Sequence, residues 1–130
     1  MITKNIHQTI SLKANSKEVY HSLMNSRLHS QITDSKVVIG TKTGSSFRVW
    51  DGAVNGIILK LKPNKKIVLA WRTDEWPEDH YSVAIFNITA AGNSTKLSID
   101  QYGVPADDYK NIGDNWKACY WVPMKKMFEK

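Results

Sequence analysis

The histidines, the cysteine and the glycines are the residues of this chain whose types and spacing could support catalysis, metal binding or nucleotide binding. The four histidines are scattered at His7, His21, His29 and His80, and none lies in an HExxH or comparable metal-ligand spacing. The single cysteine, Cys119, lies on an apolar helical stripe, and no serine occupies a GxSxG turn. No glycine pattern of a phosphate-binding loop is present. We therefore expect a non-enzymatic protein with no catalytic residue, metal site or cofactor.

An aromatic residue surrounded by acids is the first candidate binding feature. Trp76 lies among Asp74, Glu75 and Glu78, and an aromatic anchor with a polar rim is typical of hot spots in protein interfaces. An exposed Trp76 would make these four residues a contact site for a protein partner. The alternative is a hairpin plug, in which Trp76 folds back onto the sheet and Pro77 stiffens the turn.

Four lysines form a second candidate contact surface: Lys60, Lys62, Lys65 and Lys66. The first two share one face of a predicted strand, and the last two lie at the turn that follows it. Their charge would complement an acidic partner. The alternative role is a solvated basic edge that discourages strand-to-strand aggregation.

Large apolar side chains form the third candidate site, a ligand pocket between a sheet and a C-terminal helix. Its expected lining residues are Trp50, Trp71, Trp116, Tyr120 and Met124. Aromatic residues at such spacings also fill ordinary cores, and rings that pack solidly together leave no room for a ligand. The sequence does not distinguish a ligand pocket from ordinary core packing.

The hydrophobic periodicity predicts the elements that position these residues. Residues 4–13 alternate as a strand, and Asn15 with Glu18 forms a capping box at the start of a helix. Leu28 and Ile32 indicate a second short helix. Residues 36–102 contain short β-rich runs separated by turn residues, which is typical of an antiparallel meander, and five or six strands fit this segment.

The last predicted element is a long C-terminal helix. Its apolar stripe recurs every four residues, at Trp116, Tyr120, Met124 and Phe128. Pro123 lies inside this stripe, where it removes a backbone donor and should kink the helix. The order is β-α-α-β(meander)-α, and we predict an α+β fold in which a curved antiparallel sheet of about six strands wraps around this helix.

Composition indicates one domain covering residues 1–130, with 42% hydrophobic residues and a net charge of +6. The charge is uneven: residues 1–66 carry net +8 and residues 67–130 net −2. Charge alone and the absence of a base-reading motif do not favour nucleic-acid binding. No apolar run has the length of a signal peptide or a membrane span, so we expect a cytoplasmic protein with neither a nucleic-acid nor a membrane partner.

The order of several motifs resembles the C-terminal domain of the activator of heat-shock protein 90 ATPase family. The resemblance runs from Asn15 to Phe128. Its segments are Trp50-Asp51-Gly52-Ala53-Val54-Asn55-Gly56, Pro63 with Ile67-Val68, Trp71-Arg72, Trp76-Pro77-Glu78-Asp79-His80, Thr95-Lys96-Leu97, Gly103-Val104-Pro105-Ala106 and Trp116-Lys117-Ala118-Cys119-Tyr120. The most specific part is the series Trp-Arg, Trp-Pro-Glu and Gly-Val-Pro-Ala in that order.

This resemblance implies a START-like helix-grip fold and a co-chaperone-like protein that binds a chaperone of the heat-shock protein 90 class and modulates its ATPase. The eukaryotic co-chaperone also has an N-terminal docking domain, which we expect this chain not to include. The alternative function is a carrier or sensor of a small hydrophobic ligand, as in ligand-binding members of the same superfamily.

Overall fold

A computed structural model describes residues 1–129 of the protein. In chain order the elements are β1 (Thr3–Leu12), α1 (Ser16–Met24), α2 (Ser26–Thr33), β2 (Val38–Ile39), β3 (Ser46–Val49), a 3-10 turn (Trp50–Gly52), β4 (Val54–Lys62), β5 (Lys66–Thr73), β6 (Ser82–Ala91), β7 (Ser94–Pro105), α3 (Tyr109–Trp116), a π turn (Lys117–Trp121) and α4 (Val122–Phe128). The predicted α+β class and element order are confirmed.

Within residues 1–129, the strands form one antiparallel sheet of seven strands in the order β1-β7-β6-β5-β4-β3-β2. The prediction of about six strands omitted β2. This strand has only two residues, Val38 and Ile39, which pair with Arg48 and Phe47 of β3. Two residues are too few to show an alternating pattern, so only the pairing partner identifies the strand.

The helices begin where the sequence indicates. Asn15 Oδ1 accepts a hydrogen bond from the Glu18 backbone N–H at 2.8 Å, and the Asn15 N–H donates to Glu18 Oε1 at 3.5 Å, so the capping box is present. The Asn25 side chain caps α2 by accepting from the Leu28 N–H at 3.0 Å. Each cap satisfies backbone donors that the first turn of a helix leaves free.

The C-terminal helix runs from Tyr109 to Phe128 and changes its hydrogen-bonding pattern in the middle. Over Lys117–Trp121 it widens to a π turn, closed by the Val122 N–H donating to the Lys117 carbonyl. Pro123 follows at the start of α4, where its missing N–H costs least. The helix therefore continues past the proline, and the expected irregularity is a π turn that ends two residues before it.

The core lies between the inner face of the sheet and the helices. Its strand residues alternate inward along each strand, as with Ile67, Leu69 and Trp71 of β5, and the C-terminal helix contributes Trp116 and others to the same core. Gly56 of β4 lies in this layer directly opposite Trp71. A Cβ atom there would overlap the Ala70 carbonyl oxygen and approach the Phe47 ring to 2.8 Å.

We expect Gly56→Ala to destabilise the protein by about 3 kcal/mol or more, because backbone and a buried ring would both have to move. Urea unfolding measures this loss. Gly113→Ala is the matched control, since its new Cβ would lie in ordinary contact, 3.5 Å from Gln8 Nε2. This helical change should stabilise by roughly 0.5–1 kcal/mol. Equal effects of the two substitutions would contradict the packing described for Gly56.

Candidate functional site: an aromatic cavity and an outer sheet face

A cavity of about 220 Å³ lies between the sheet and the C-terminal helix. Four of the five predicted pocket residues line it: Trp50, Trp71, Trp116 and Tyr120. Met124 does not line it. Met124 is fully buried one turn further along the helix, where α4 packs against α2.

The aromatic rings around the cavity pack on one another and leave space at one end. Trp116 is central, with ring centroids 4.8 Å from Tyr120 and 5.8 Å from Trp71. Trp50 meets Tyr120 edge to face at 6.3 Å. Edge-to-face and tilted arrangements at these distances are favourable. The rings thus belong to the core and also form cavity walls. The two interpretations of the sequence, core packing and a ligand pocket, therefore each describe part of the structure.

Buried hydrogen bonds fix the orientation of the central ring. The Trp116 indole N–H donates to Gln101 Oε1 at 2.8 Å, Gln101 Nε2 donates to Ser82 Oγ at 2.9 Å, and the Ser82 hydroxyl donates to the Trp71 carbonyl at 2.9 Å. Gln101 and Ser82 are both fully buried. Neither residue is among the predicted site residues, although each is a polar residue at an inward position of a strand, and this pattern marks a buried hydrogen-bonded group.

Tyr120 is anchored by a buried histidine. His29 Nδ1 lies 2.8 Å from the Leu23 carbonyl oxygen, which can only accept, so Nδ1 carries the hydrogen. His29 Nε2 is then the acceptor for the Tyr120 hydroxyl at 2.7 Å. Burial raises the pKa of Tyr120 and lowers the pKa of His29 to about 4. Both groups are neutral at pH 7, so this pair positions the ring and brings no charge to the cavity wall.

Trp50 reaches the cavity through a strained turn. Trp50 (φ 51°), Asp51 (φ 54°) and Gly52 (φ 102°) are successive residues in the left-handed region. For the first two this conformation costs about 1–3 kcal/mol each. The turn is held by the Asp51 N–H donating to the Lys36 carbonyl at 3.1 Å and by the Trp50 N–H donating to Ser35 Oγ at 3.3 Å.

The mouth of the cavity is acidic. Asp74 and Glu75, from the connection between β5 and β6, and Asp108, just before α3, all line it. Asp108 already accepts hydrogen bonds from the Trp76 indole N–H at 2.7 Å and from the Asn111 side chain at 3.1 Å. Within residues 1–129, the carboxylates of Asp74 and Glu75 have no hydrogen-bond or ion-pair partner.

Trp76 is buried, with 6% of its surface exposed. Its ring packs against Trp71 and His80 with centroid distances of 5.5 Å each. The Arg72 guanidinium braces the same connection by donating to the Trp76 carbonyl at 3.0 Å. Of the two alternatives, the exposed anchor is therefore wrong for Trp76 and the hairpin plug is correct. The residues around it, Asp74, Glu75, Pro77 and Glu78, are exposed.

The basic hairpin (Lys60, Lys62, Lys65 and Lys66) lies at the opposite end of β5 from the acidic connection (residues 74–79). At about 3.3 Å per residue, the eight residues of β5 separate the two by roughly 23 Å. The structure therefore does not bring the predicted acidic and basic contact residues into one cluster. They lie at the two ends of β5.

An outer apolar row crosses the sheet face that points away from the helices. Ile57 of β4 lies opposite Ala70, Ala70 opposite Val83, and Val83 opposite Tyr102. The three large side chains are 39%, 37% and 49% exposed in that order. In the next row along β5, Val68 lies between Lys60 and Ile85. Contiguous exposed apolar residues of this kind mark interaction sites.

Within residues 1–129, no group of three or more His, Cys, Asp or Glu side chains is placed to hold a metal ion. No described helix combines the length and the apolar character needed to cross a membrane.

The chain is similar to known proteins over most of its length. The profile of the family described as "Activator of Hsp90 ATPase homolog 1-like protein" matches residues 13–129. The chain is 28% identical over 124 residues to "Activator of 90 kDa heat shock protein ATPase homolog 2" from Mus musculus, covering 95% of the chain and 38% of that protein. It is 27% identical over 112 residues to "Activator of 90 kDa heat shock protein ATPase homolog 1" from Homo sapiens, covering 86% and 33%. The chain thus spans about a third of the length of these relatives.

Among solved structures, an HSP90 activator from Plasmodium falciparum superposes with a TM-score of 0.90 at 17% identity, over 95% of this chain and 94% of that one. This likeness shows a shared fold.

The His29–Tyr120 pair predicts acid sensitivity. The pKa of His29 is about 4 in the folded protein against an ordinary 6.5. As pH falls below 6.5 the unfolded chain binds the proton first, so stability is lost between pH 6.5 and 4, by about 3 kcal/mol in all. Urea unfolding at a series of pH values measures the slope. His29→Gln, which retains a donor and an acceptor, should lower stability at pH 7 and flatten this window, and an unchanged slope would contradict the assignment.

Proposed function

The chain belongs to the Activator of Hsp90 ATPase homolog 1-like family, and from this membership we propose that it binds a chaperone of the heat-shock protein 90 class. It acts there as a co-chaperone-like protein in the cytoplasm and contributes no catalytic group. The observation that carries the proposal is the outer apolar row of Ile57, Ala70, Val83 and Tyr102, whose three large side chains are exposed on the sheet face that points away from the helices.

The interface we propose is the whole outer sheet face. The apolar row supplies its centre, the basic hairpin lies at one end of β5, and the acidic connection lies at the other. An interface of standard size buries about 800 Å² on each partner, which is enough to include both ends. Charge at the two ends sets orientation and association rate, while burial of the row supplies most of the affinity.

Modulation of the chaperone's ATPase follows from the same contact. A bound protein shifts a conformational equilibrium only by its differential affinity for the two states. The surface proposed here is rigid, because every strand of the outer face is paired within the sheet. It would therefore favour the chaperone conformation whose own surface fits it, and the rate of ATP hydrolysis would follow that shift.

A second function, binding of a small ligand, is favoured by the cavity. Four aromatic rings line it, and two of them, those of Trp116 and Tyr120, are held by buried hydrogen bonds. Its volume of about 220 Å³ exceeds that of an engineered cavity of about 150 Å³ that binds benzene. Pockets that combine apolar walls with a few placed polar groups are the usual form of small-molecule sites. This function uses the inner face, and it shares only the acidic connection with the proposed interface, because Asp74 and Glu75 line the cavity.

Removing an aromatic group from the outer row should weaken chaperone binding. Tyr102→Ser is expected to raise the Kd by roughly tenfold or more, because tyrosines in the centre of interfaces are frequent hot spots. Tyr109→Ser is the matched control, since Tyr109 is also exposed but lies on α3. Calorimetric titration of the chain with the heat-shock protein 90 of its host measures both. Absence of binding by the unsubstituted chain at tens of micromolar would refute the proposal, and equal losses in both variants would refute the assigned surface.

Charge reversal tests the basic end separately. Lys60→Glu with Lys62→Glu should slow association and reduce its dependence on salt, because an attractive field at the rim acts mainly on the on-rate. Lys125→Glu with Lys126→Glu makes the same change in net charge on the exposed side of α4. Stopped-flow association rates at two ionic strengths compare the pairs, and an equal response of both would mean that net charge alone is responsible.

A further inference from the structure

We infer that the cavity selects an organic cation, a ligand with an ammonium group on a small apolar or aromatic body. This inference rests on the second proposed function, ligand binding in the cavity, and names its ligand class. Two independent properties of the lining residues carry it: their aromatic character and the sign of the charge at the mouth.

The cavity lining is rich in aromatic side chains. Trp50, Trp71, Trp116 and Tyr120 line it together. Tryptophan and tyrosine attract cations through the negative potential of their ring faces, and clusters of such rings are the usual means of recognising quaternary ammonium groups. Because the orientations of Trp116 and Tyr120 are fixed by Gln101 and His29, this cluster needs no rearrangement to receive a ligand.

The mouth adds formal negative charge. Asp74 and Glu75 line the cavity with carboxylates that have no hydrogen-bond or ion-pair partner among residues 1–129. Their charges are therefore available to a ligand. Asp108 also lines the mouth, and its charge persists although its oxygens accept hydrogen bonds from Trp76 and Asn111.

The sign of this charge contrasts with the rest of the chain. The protein carries net +6, yet no lysine, arginine or histidine lines the cavity within the described residues. An anionic ligand such as a fatty acid would meet three carboxylates and no cation there. A neutral ligand would gain affinity from the apolar walls alone. A cation would gain affinity from the aromatic walls and also from the carboxylates, so it is the class that the lining favours most.

The test uses three probes of nearly the same shape. Benzyltrimethylammonium is the cation, neopentylbenzene is its uncharged isostere, and phenylmethanesulfonate is the anion. Each is titrated into the ¹⁵N-labelled chain, and the indole N–H signals of the tryptophans report occupancy. We expect the cation to bind roughly tenfold more tightly than the neutral probe, to shift the Trp116 and Trp71 signals, and to lose part of its advantage as salt is added. We expect no shift with the anion.

Paired variants test the carboxylates. Asp74→Asn with Glu75→Gln should abolish most of the preference for the cation over the neutral probe and leave affinity for the neutral probe unchanged. Glu78→Gln with Asp79→Asn removes the same charge from the same connection but at residues that do not line the cavity. That control should leave the preference intact.

The outcomes separate this inference from the function on which it rests. Equal affinity for cation and neutral probe, or tighter binding of the anion, would overturn the inference while retaining a ligand cavity. Failure of all three probes to shift any indole signal would overturn ligand binding itself. A loss of preference in both pairs of variants would mean that the general field of the connection, and not the lining carboxylates, is responsible.

Discussion

The structure depends on one buried interaction, the hydrogen bond between the indole of Trp116 and the side chain of Gln101. It joins the C-terminal helix to β7 at the point where the helix crosses the sheet, and it is continued by Ser82 to β6 and to the backbone of β5. A polar group buried this deeply is costly unless it is paired. Because each member satisfies the next, the network permits one position of the helix on the sheet and so fixes the cavity beside it.

That constraint produces two different faces. On the inside, aromatic rings and acids line a cavity. On the outside, an apolar row crosses four strands, and the basic hairpin lies at one end of β5. The two faces are separated by the thickness of the sheet, and side chains alternate between them along every strand. In the two proposals, a small ligand occupies the inner face and a protein partner the outer one, and the connection that carries Asp74 and Glu75 lies at the edge that both share.

Sequence reasoning predicted what depends on local pattern. The capping box at Asn15, the second short helix and the element order all follow from spacing within a few residues, and these are confirmed. The features that local pattern did not determine depend on contacts between residues distant in sequence. The burial of Trp76 requires Asp108, 32 residues away, as the acceptor for its indole, and the Gln101–Trp116 bond spans 15 residues. Met124 lies on the buried side of the helix, as its spacing predicts, but it does not line the cavity. The spacing of apolar residues indicates which side of a helix is buried, and it does not indicate how far along the helix a cavity extends.

The central claim is that the outer sheet face binds a chaperone while the inner face remains free. The most direct test is an NMR titration of the ¹⁵N-labelled chain with the heat-shock protein 90 of its host. The account predicts that backbone signals of Ile57, Val83 and Tyr102 shift or broaden while the indole signal of Trp116 does not. Shifts confined to the indoles of Trp71 and Trp116, or no shift at any residue, would contradict it.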